Sequence, residues 1–237
     1  MRRLLFLFTL AGTLLYAEQK IKIAAAAGYK KPLQEVIKAY RQEGGSPVKA
    51  IFGNVRQISV QAKHTDIALL IGDRNYLSDQ SGLAFDGFTS LGSGKLVLAY
   101  PKNTALTACS DLAQERVRAI AIAKPSKAIY GIAAETFLQR SGLYETVKER
   151  LRIVATVPQV TAYLVANEVD AGLINLTAAL ANEKKLGGYL VIPQQYYEKI
   201  DIVAGTLPEC SRSRDCQTFL DYLRGERARE IFKKYGL

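Results

Sequence analysis

A regular alternation of short apolar runs with helix-patterned stretches, continued almost to the last residue, constrains this chain more than any other feature. IKIAAA (21–26), VKAIF (48–52), DIALLI (66–71), KLVLAY (95–100), RAIAIA (118–123), RIVATV (152–157), AGLINL (171–176), YLVIP (189–193) and DIVAGTL (201–207) read as strands. Many are apolar at nearly every position, as strands covered on both faces must be. Helical patterns fall at 32–43, 55–62, 110–116, 131–140, 143–150, 158–167, 177–182 and 215–235. In the first of these, Leu33, Val36, Ile37 and Tyr40 stand at i, i+3, i+4 and i+7, one apolar stripe, and Pro32 suits the first helical position, where no N–H is needed. The order predicts an α/β protein whose sheets are mostly parallel and flanked by helices.

Two places suggest two lobes. Tyr100-Pro101-Lys102-Asn103 ends one strand and opens a polar stretch, and DIVAGTL leads into the final helical region. A chain that crosses near 98–102 and returns near 199–204 would build one lobe from 18–99 plus 203–237 and the other from 100–202. A ligand cleft would then lie between them, outside the carboxyl ends of the strands.

The opening MRRLLFLFTLAGTLLYA carries Arg2 and Arg3, an apolar run and then Ala17, the pattern of a secretory signal peptide over residues 1–17. The mature chain is expected to start near Glu18, outside the cytoplasm. The formal charge of +10 falls to +8 when Arg2 and Arg3 are removed, which favours anionic partners through long-range steering. No block of five or more Lys/Arg occurs, so nucleic acid binding has no support. In an exported chain, Cys210 and Cys216, flanking the polar SRSRD, are expected to close a small disulfide ring, leaving Cys109 over.

Enzyme signatures are missing. Gly92-Ser93-Gly94-Lys95 lacks both the spacing and the following hydroxyl of a phosphate-binding loop, and there is no G-x-S-x-G or H-E-x-x-H. His64 is the only histidine, which disfavours Ser–His and Cys–His chemistry and, with the cysteine spacing, leaves no metal set. No cofactor is expected.

What remains is a set of strand-to-helix turns. They are Ala27-Gly28-Tyr29, Phe52-Gly53-Asn54-Val55-Arg56, Ala128-Ile129-Tyr130-Gly131-Ile132 and Thr156-Val157-Pro158-Gln159. Each helix start offers unpaired N–H groups and partial positive charge. Singly each is an ordinary turn; gathered in one cleft they could hold an oxyanion without a balancing cation.

The ordered pieces AAAAGYKKPLQEVIKAY, FGNVRQISVQ, GKLVLAYP, AKPSKAIYGIAAETFLQRSGLYETVKERL, VTAYLVANEVDAGLINLTAA and TFLDYLRGERAREIFKKYGL resemble the periplasmic molybdate-binding proteins of ABC importers. The resemblance covers nearly the whole mature chain. It implies a type II periplasmic binding protein fold whose two lobes close on a small oxyanion, molybdate or tungstate first. It also implies a monomer that docks on a membrane permease, with no catalysis. A different solute (another oxyanion, an organic anion or a metal chelate) and an exported sensor role remain alternatives within that fold.

The ligand set of that family is altered here. Its first serine falls on Gly28, and its second hydroxyl residue on Val55, or on Asn54 if the turn slips by one. Its alanine donor falls on Tyr130, its later backbone donor on Val157 and its tyrosine on Asn175. Every hydroxyl the family uses is thus replaced. Backbone donors could persist at Gly28, Tyr130 and Val157, with Tyr130 adding a hydroxyl, Asn54 and Asn175 adding amides, and Lys30, Lys31 or Arg56 adding charge. Alternatively the pocket is remade for a protonated or less symmetrical ligand, since an amide both donates and accepts. The candidate site is therefore Gly28, Tyr29, Asn54, Val55, Arg56, Tyr130, Gly131, Val157 and Asn175.

Overall fold

A computed structural model describes residues 21–237; the expected signal peptide over 1–17 lies outside the described residues. Among the described residues, ten strands form two five-stranded sheets. The first has the order β2 (Val48–Gly53), β1 (Ile21–Ala26), β3 (Leu69–Asp73), β10 (Ile200–Thr206), β4 (Gly87–Gly94). The second has the order β7 (Leu151–Val154), β6 (Ile120–Ala123), β8 (Ala171–Asn175), β5 (Leu96–Tyr100), β9 (Gly188–Val191).

Both sheets follow one plan. Three parallel strands come first, β2-β1-β3 in one and β7-β6-β8 in the other. An antiparallel strand follows, and another pairs antiparallel to that one. The sheets are therefore mixed but mostly one-directional, as expected: in each, four of the five strands run the same way and one, β10 or β5, runs against them. The reversed strands are the two that arrive from the other sheet, β5 after β4 and β10 after β9, and not through a right-handed βαβ crossover. The first passage between sheets falls at Lys95, ahead of the expected 98–102, because the apolar run 96–100 pairs with β8 and β9. The return runs between β9 and β10.

Helices cover the sheets where the apolar stripes require it. In α1 (Lys30–Gln42), Leu33, Val36, Ala39 and Tyr40 are buried. α2 (Val55–Ala62) buries Val55 and Ile58 and starts at an Asn54 cap that accepts the Gln57 N–H at 2.8 Å. α3 (Arg74–Asp79) starts at an Asp73 cap. α4 (Ile129–Arg140) and the short α5 (Tyr144–Val147) follow β6. α6 (Val157–Val165) opens on a capping box of Thr156 and Gln159, and α7 (Leu176–Ala181) on an Asn175 cap.

The expected final helix 215–235 is two helices, α9 (Arg214–Arg224) and α10 (Glu226–Lys234), preceded by the short α8 (Pro208–Ser211). Gly225 has extended backbone, ending α9 and starting α10. The bend keeps two separate apolar faces buried, Phe219, Leu220 and Leu223 on one helix, Ala228, Ile231 and Phe232 on the next. Cys210 and Cys216 are bridged, tying α8 to α9, and Cys109 is free and half-buried. The C-terminal turn returns to the first lobe, where Lys234 and Tyr235 both bond Glu35 on α1.

Candidate ligand-binding site

The two sheets face each other across a cleft, and four chain segments end there because each is a strand-to-helix turn at a carboxyl strand end. From the first sheet come the turn after β1 (27–29) and the Asn54 turn after β2. From the second come the Ala128–Tyr130 start of α4 and the Thr156–Val157 start of α6. Between them lies a cavity of about 40 Å³ for the centres of water-sized spheres. That is space for about three waters or one small polyatomic ion.

Two of the four helix starts lack a side-chain cap. Neither Ala26, before the first turn, nor Ala128, before α4, caps its helix through a side chain. Their first-turn N–H groups are left to face the cavity. At the other two, Asn54 and Thr156 each satisfy one N–H and leave the earlier ones. The cavity is thus rimmed by oriented backbone dipoles.

Tyr29 and Tyr130 meet inside it. The Tyr29 hydroxyl donates to the Tyr130 hydroxyl at 2.9 Å, with both rings buried. Burial pushes both phenols well above their ordinary value, so both remain neutral. Since Tyr130 accepts from Tyr29, its own proton is free for another acceptor; among the described residues none takes it.

Two further contacts span the cleft. Asn175 Nδ2 donates to the Gly28 carbonyl at 3.3 Å. Lys31 Nζ donates to the Ala181 carbonyl and to Asn182 Oδ1. All three contacts pair the first sheet's side with the second's, so opening the cleft breaks all of them.

Of the residues singled out in the sequence, Gly28, Tyr29, Asn54, Val55, Tyr130 and Val157 wall this cavity. Arg56, Gly131 and Asn175 do not. Arg56 faces a neighbouring hollow with Gln80 and Lys127. Gly131 lets α4 settle on β6, since a Cβ there would stand 2.3 Å from the Ala123 carbonyl oxygen. Asn175 is fully buried, and its Oδ1 accepts the Ala178 N–H at 3.3 Å while its Nδ2 holds Gly28.

Thr156, named in the sequence only as part of its turn, also walls the cavity, and so does Asp73, which the sequence pattern did not single out. Asp73 stands at the end of β3, 7% exposed, and its Oδ1 accepts the Tyr76 N–H at 2.9 Å. Burial pushes its carboxyl above the usual range and Asp201 across β10 adds to this, against hydrogen bonds from the Tyr76, Asp201 and Asn75 backbone. The signal that could have found it is an Asp closing an apolar run just before a polar, tyrosine-containing turn, the pattern of an N-cap.

Toward solvent the cleft widens into an outer chamber of about 330 Å³ on the same measure, sharing Ala27 and Gly28 with the inner one. Lys30, Lys31 and Lys185 surround it over an apolar wall that includes Pro158, Ala162 and Val165. Partial burial and the nearby Lys185 both lower the Lys31 pKa.

A two-lobed α/β scaffold with a ligand-sized cavity in the cleft between its sheets defines a binding protein of the solute-capturing class. Consistent with that, residues 21–237 match the family model described as bacterial extracellular solute-binding protein, and the chain belongs to that family. A molybdate-binding protein, ModA, of Azotobacter vinelandii is 26% identical over 235 residues, covering 95% of this chain and 93% of that one. The solved structure of a periplasmic molybdate-binding protein from Azotobacter vinelandii superposes with a TM-score of 0.81 at 23% identity, covering 91% and 97%. PEB3 of Campylobacter jejuni, solved with L-phospholactate bound, superposes with a TM-score of 0.73 at 18% identity, covering 91% and 98%. The likeness to molybdate-binding proteins and the type II two-lobed fold expected from the sequence are both found.

Proposed function

We propose that this protein is the exported capture subunit of an ABC importer for a small tetrahedral oxyanion, with molybdate or tungstate first. The two lobes close on the ligand by a hinge at the two passages between sheets, and the closed form is handed to a membrane permease. The observation that carries this reading is the convergence of four helix starts, two of them uncapped, on one ion-sized cavity. Backbone N–H groups at Gly28, Tyr130 and Val157 hold the oxygens, aided by the N-terminal ends of the helix dipoles and the free Tyr130 proton. These donors need no particular side chain, so the loss of the family's hydroxyls leaves them intact. We assign the first lobe to the first sheet with the C-terminal helices, and the second lobe to the second sheet. Export rests on residues 1–17, and the working unit is a monomer.

A second reading is an organic anion, favoured by the outer chamber. Its three lysines over an apolar wall suit a carboxylate or phosphate ester with a short hydrocarbon body.

Titration calorimetry of the purified protein tests both. Molybdate, tungstate, sulfate and phosphate are compared with small organic acids at equal ionic strength. Heat with an inorganic oxyanion, abolished by Gly28→Val, which wedges the cleft against Asn175, supports the first reading. Heat with organic acids alone supports the second.

A further inference from the structure

The inner cavity has an unexpected electrostatic balance for a site that holds an anion. No lysine, arginine or histidine lines it, and its one ionisable carboxyl is Asp73. The Asp73 side chain caps α3, but that role does not need a charge, because asparagine caps a helix as well as aspartate does. The charge is therefore an added feature of the wall. The groups facing it are the Tyr29 and Tyr130 hydroxyls, both held neutral by burial, and Asp201 on β10. In the adjoining hollow that Asp73 also borders stand Glu198 and Lys199, each already paired, with Arg140 and with Asp201. Among the described residues, no unpaired cation borders Asp73 to neutralise it against a bound anion. An ionised carboxylate and a fully ionised oxyanion packed into one small cavity repel strongly, and neither can donate a hydrogen bond to the other.

We propose that ligand binding at this site is coupled to one proton, held in a hydrogen bond between Asp73 and an oxygen of the oxyanion. The inference rests on the oxyanion reading of the inner cavity and makes Asp73 the residue that sets which protonation state of the ligand is accepted. The proton has two sources. A ligand such as hydrogen phosphate brings its own and donates to the carboxylate. A fully ionised ligand such as molybdate or sulfate binds only with Asp73 protonated, and the proton is taken from solvent. Within the oxyanion class, an anion that carries its own proton binds at any pH between about 5.5 and about 8, whereas molybdate, tungstate and sulfate bind with uptake of one proton and so more tightly at lower pH. A carboxyl already pushed up by burial meets this requirement at less cost than an exposed one would.

The test measures dissociation constants from about pH 5.5 to about pH 8 for phosphate, sulfate and molybdate, on the wild-type protein and on Asp73→Asn. For the wild type, sulfate and molybdate affinity is expected to fall toward tenfold per pH unit at the upper end, about one proton taken up per ion bound, while phosphate, protonated throughout, keeps its affinity. Proton uptake is read independently by repeating the calorimetry in buffers of different ionisation enthalpy. Asp73→Asn keeps the cap, and its amide donates where the carboxylate could not. Its sulfate and molybdate binding is expected to become independent of pH, with a gain of about tenfold at pH 8 and a lost preference for phosphate. Wild-type sulfate or molybdate binding that is flat with pH and takes up no proton would overturn the inference while leaving the oxyanion reading standing. Absence of binding by all three anions in both proteins at every pH would overturn the oxyanion reading itself, and this inference with it.

Discussion

The inner and outer chambers of the cleft share Ala27 and Gly28 and differ in almost everything else. The outer chamber has three lysines, and the inner one has none, with two neutral tyrosines and a single carboxyl. The difference separates two tasks. Exposed ammonium groups raise the local concentration of anions and speed encounter, but solvent screens them and they give little selectivity. A small buried cavity lined by fixed N–H dipoles offers little steering but much discrimination, because a ligand that mismatches its donors and acceptors leaves buried groups unpaired.

The strongest way to break this comparison is to hold the cleft open at Gly28, which both chambers share, so that the enclosed inner chamber is not formed. A Cβ at Gly28 would stand 3.0 Å from Asn175 Nδ2, so Gly28→Val wedges the cleft where Asn175 crosses it. Anion affinity is expected to fall about a hundredfold or more, measured by calorimetry, with the circular dichroism spectrum unchanged. Tyr130→Phe is the next largest. It removes the acceptor of a buried Tyr29 proton, so denaturant unfolding should show a loss of about 1–3 kcal/mol, and ligand affinity should drop about tenfold.

Asp73→Asn acts on stability in the opposite direction. Burial holds the folded-state pKa of Asp73 above its unfolded value, so ionisation weakens the folded state as pH rises past the unfolded value near about 4. Removing the charge should raise Tm at neutral pH by a few degrees, about what 1 kcal/mol gives in a chain of this size. The gain should vanish near about pH 3, where both states carry the proton. The smallest effect belongs to the outer chamber. Replacing Lys30, Lys31 and Lys185 together with glutamine should slow association a few-fold in low salt and leave it nearly unchanged at about 0.5 M salt, in stopped-flow measurements.

Most of the scaffold was legible in the sequence where local and tertiary preferences agree. The second helix runs over 55–62 as its pattern predicts, because Asn54 caps it and Val55 and Ile58 face the core. β4 was not legible: GFTSLGSG is a run of glycine and serine with little strand character, and it becomes a strand by pairing along the full length of β10. Its neighbour α3 is only six residues long, too short to show a period, and Asp73 was hidden with it. In the candidate site, the four turns were visible because each joins a strong strand to a strong helix. What they enclose was not. Asn175 reads as a ligand amide in sequence, yet its two polar atoms are spent on Ala178 and Gly28. Arg56 lies one position past a wall residue, and the helix turns its side chain away to the neighbouring hollow.

The most direct test of the central claim, that the inner cavity binds a small tetrahedral oxyanion through backbone donors, is a thermal-shift comparison of wild type with Gly28→Val. Molybdate, tungstate, sulfate and phosphate are each added in large excess at about pH 6, where the proposed proton is most available. A ligand that binds only the folded state at a hundredfold excess over Kd adds about 2.7 kcal/mol of stability. The account predicts a clear rise in Tm with at least one of these ions for the wild type and none for Gly28→Val. No rise in the wild type, or an equal rise in both proteins, would contradict it.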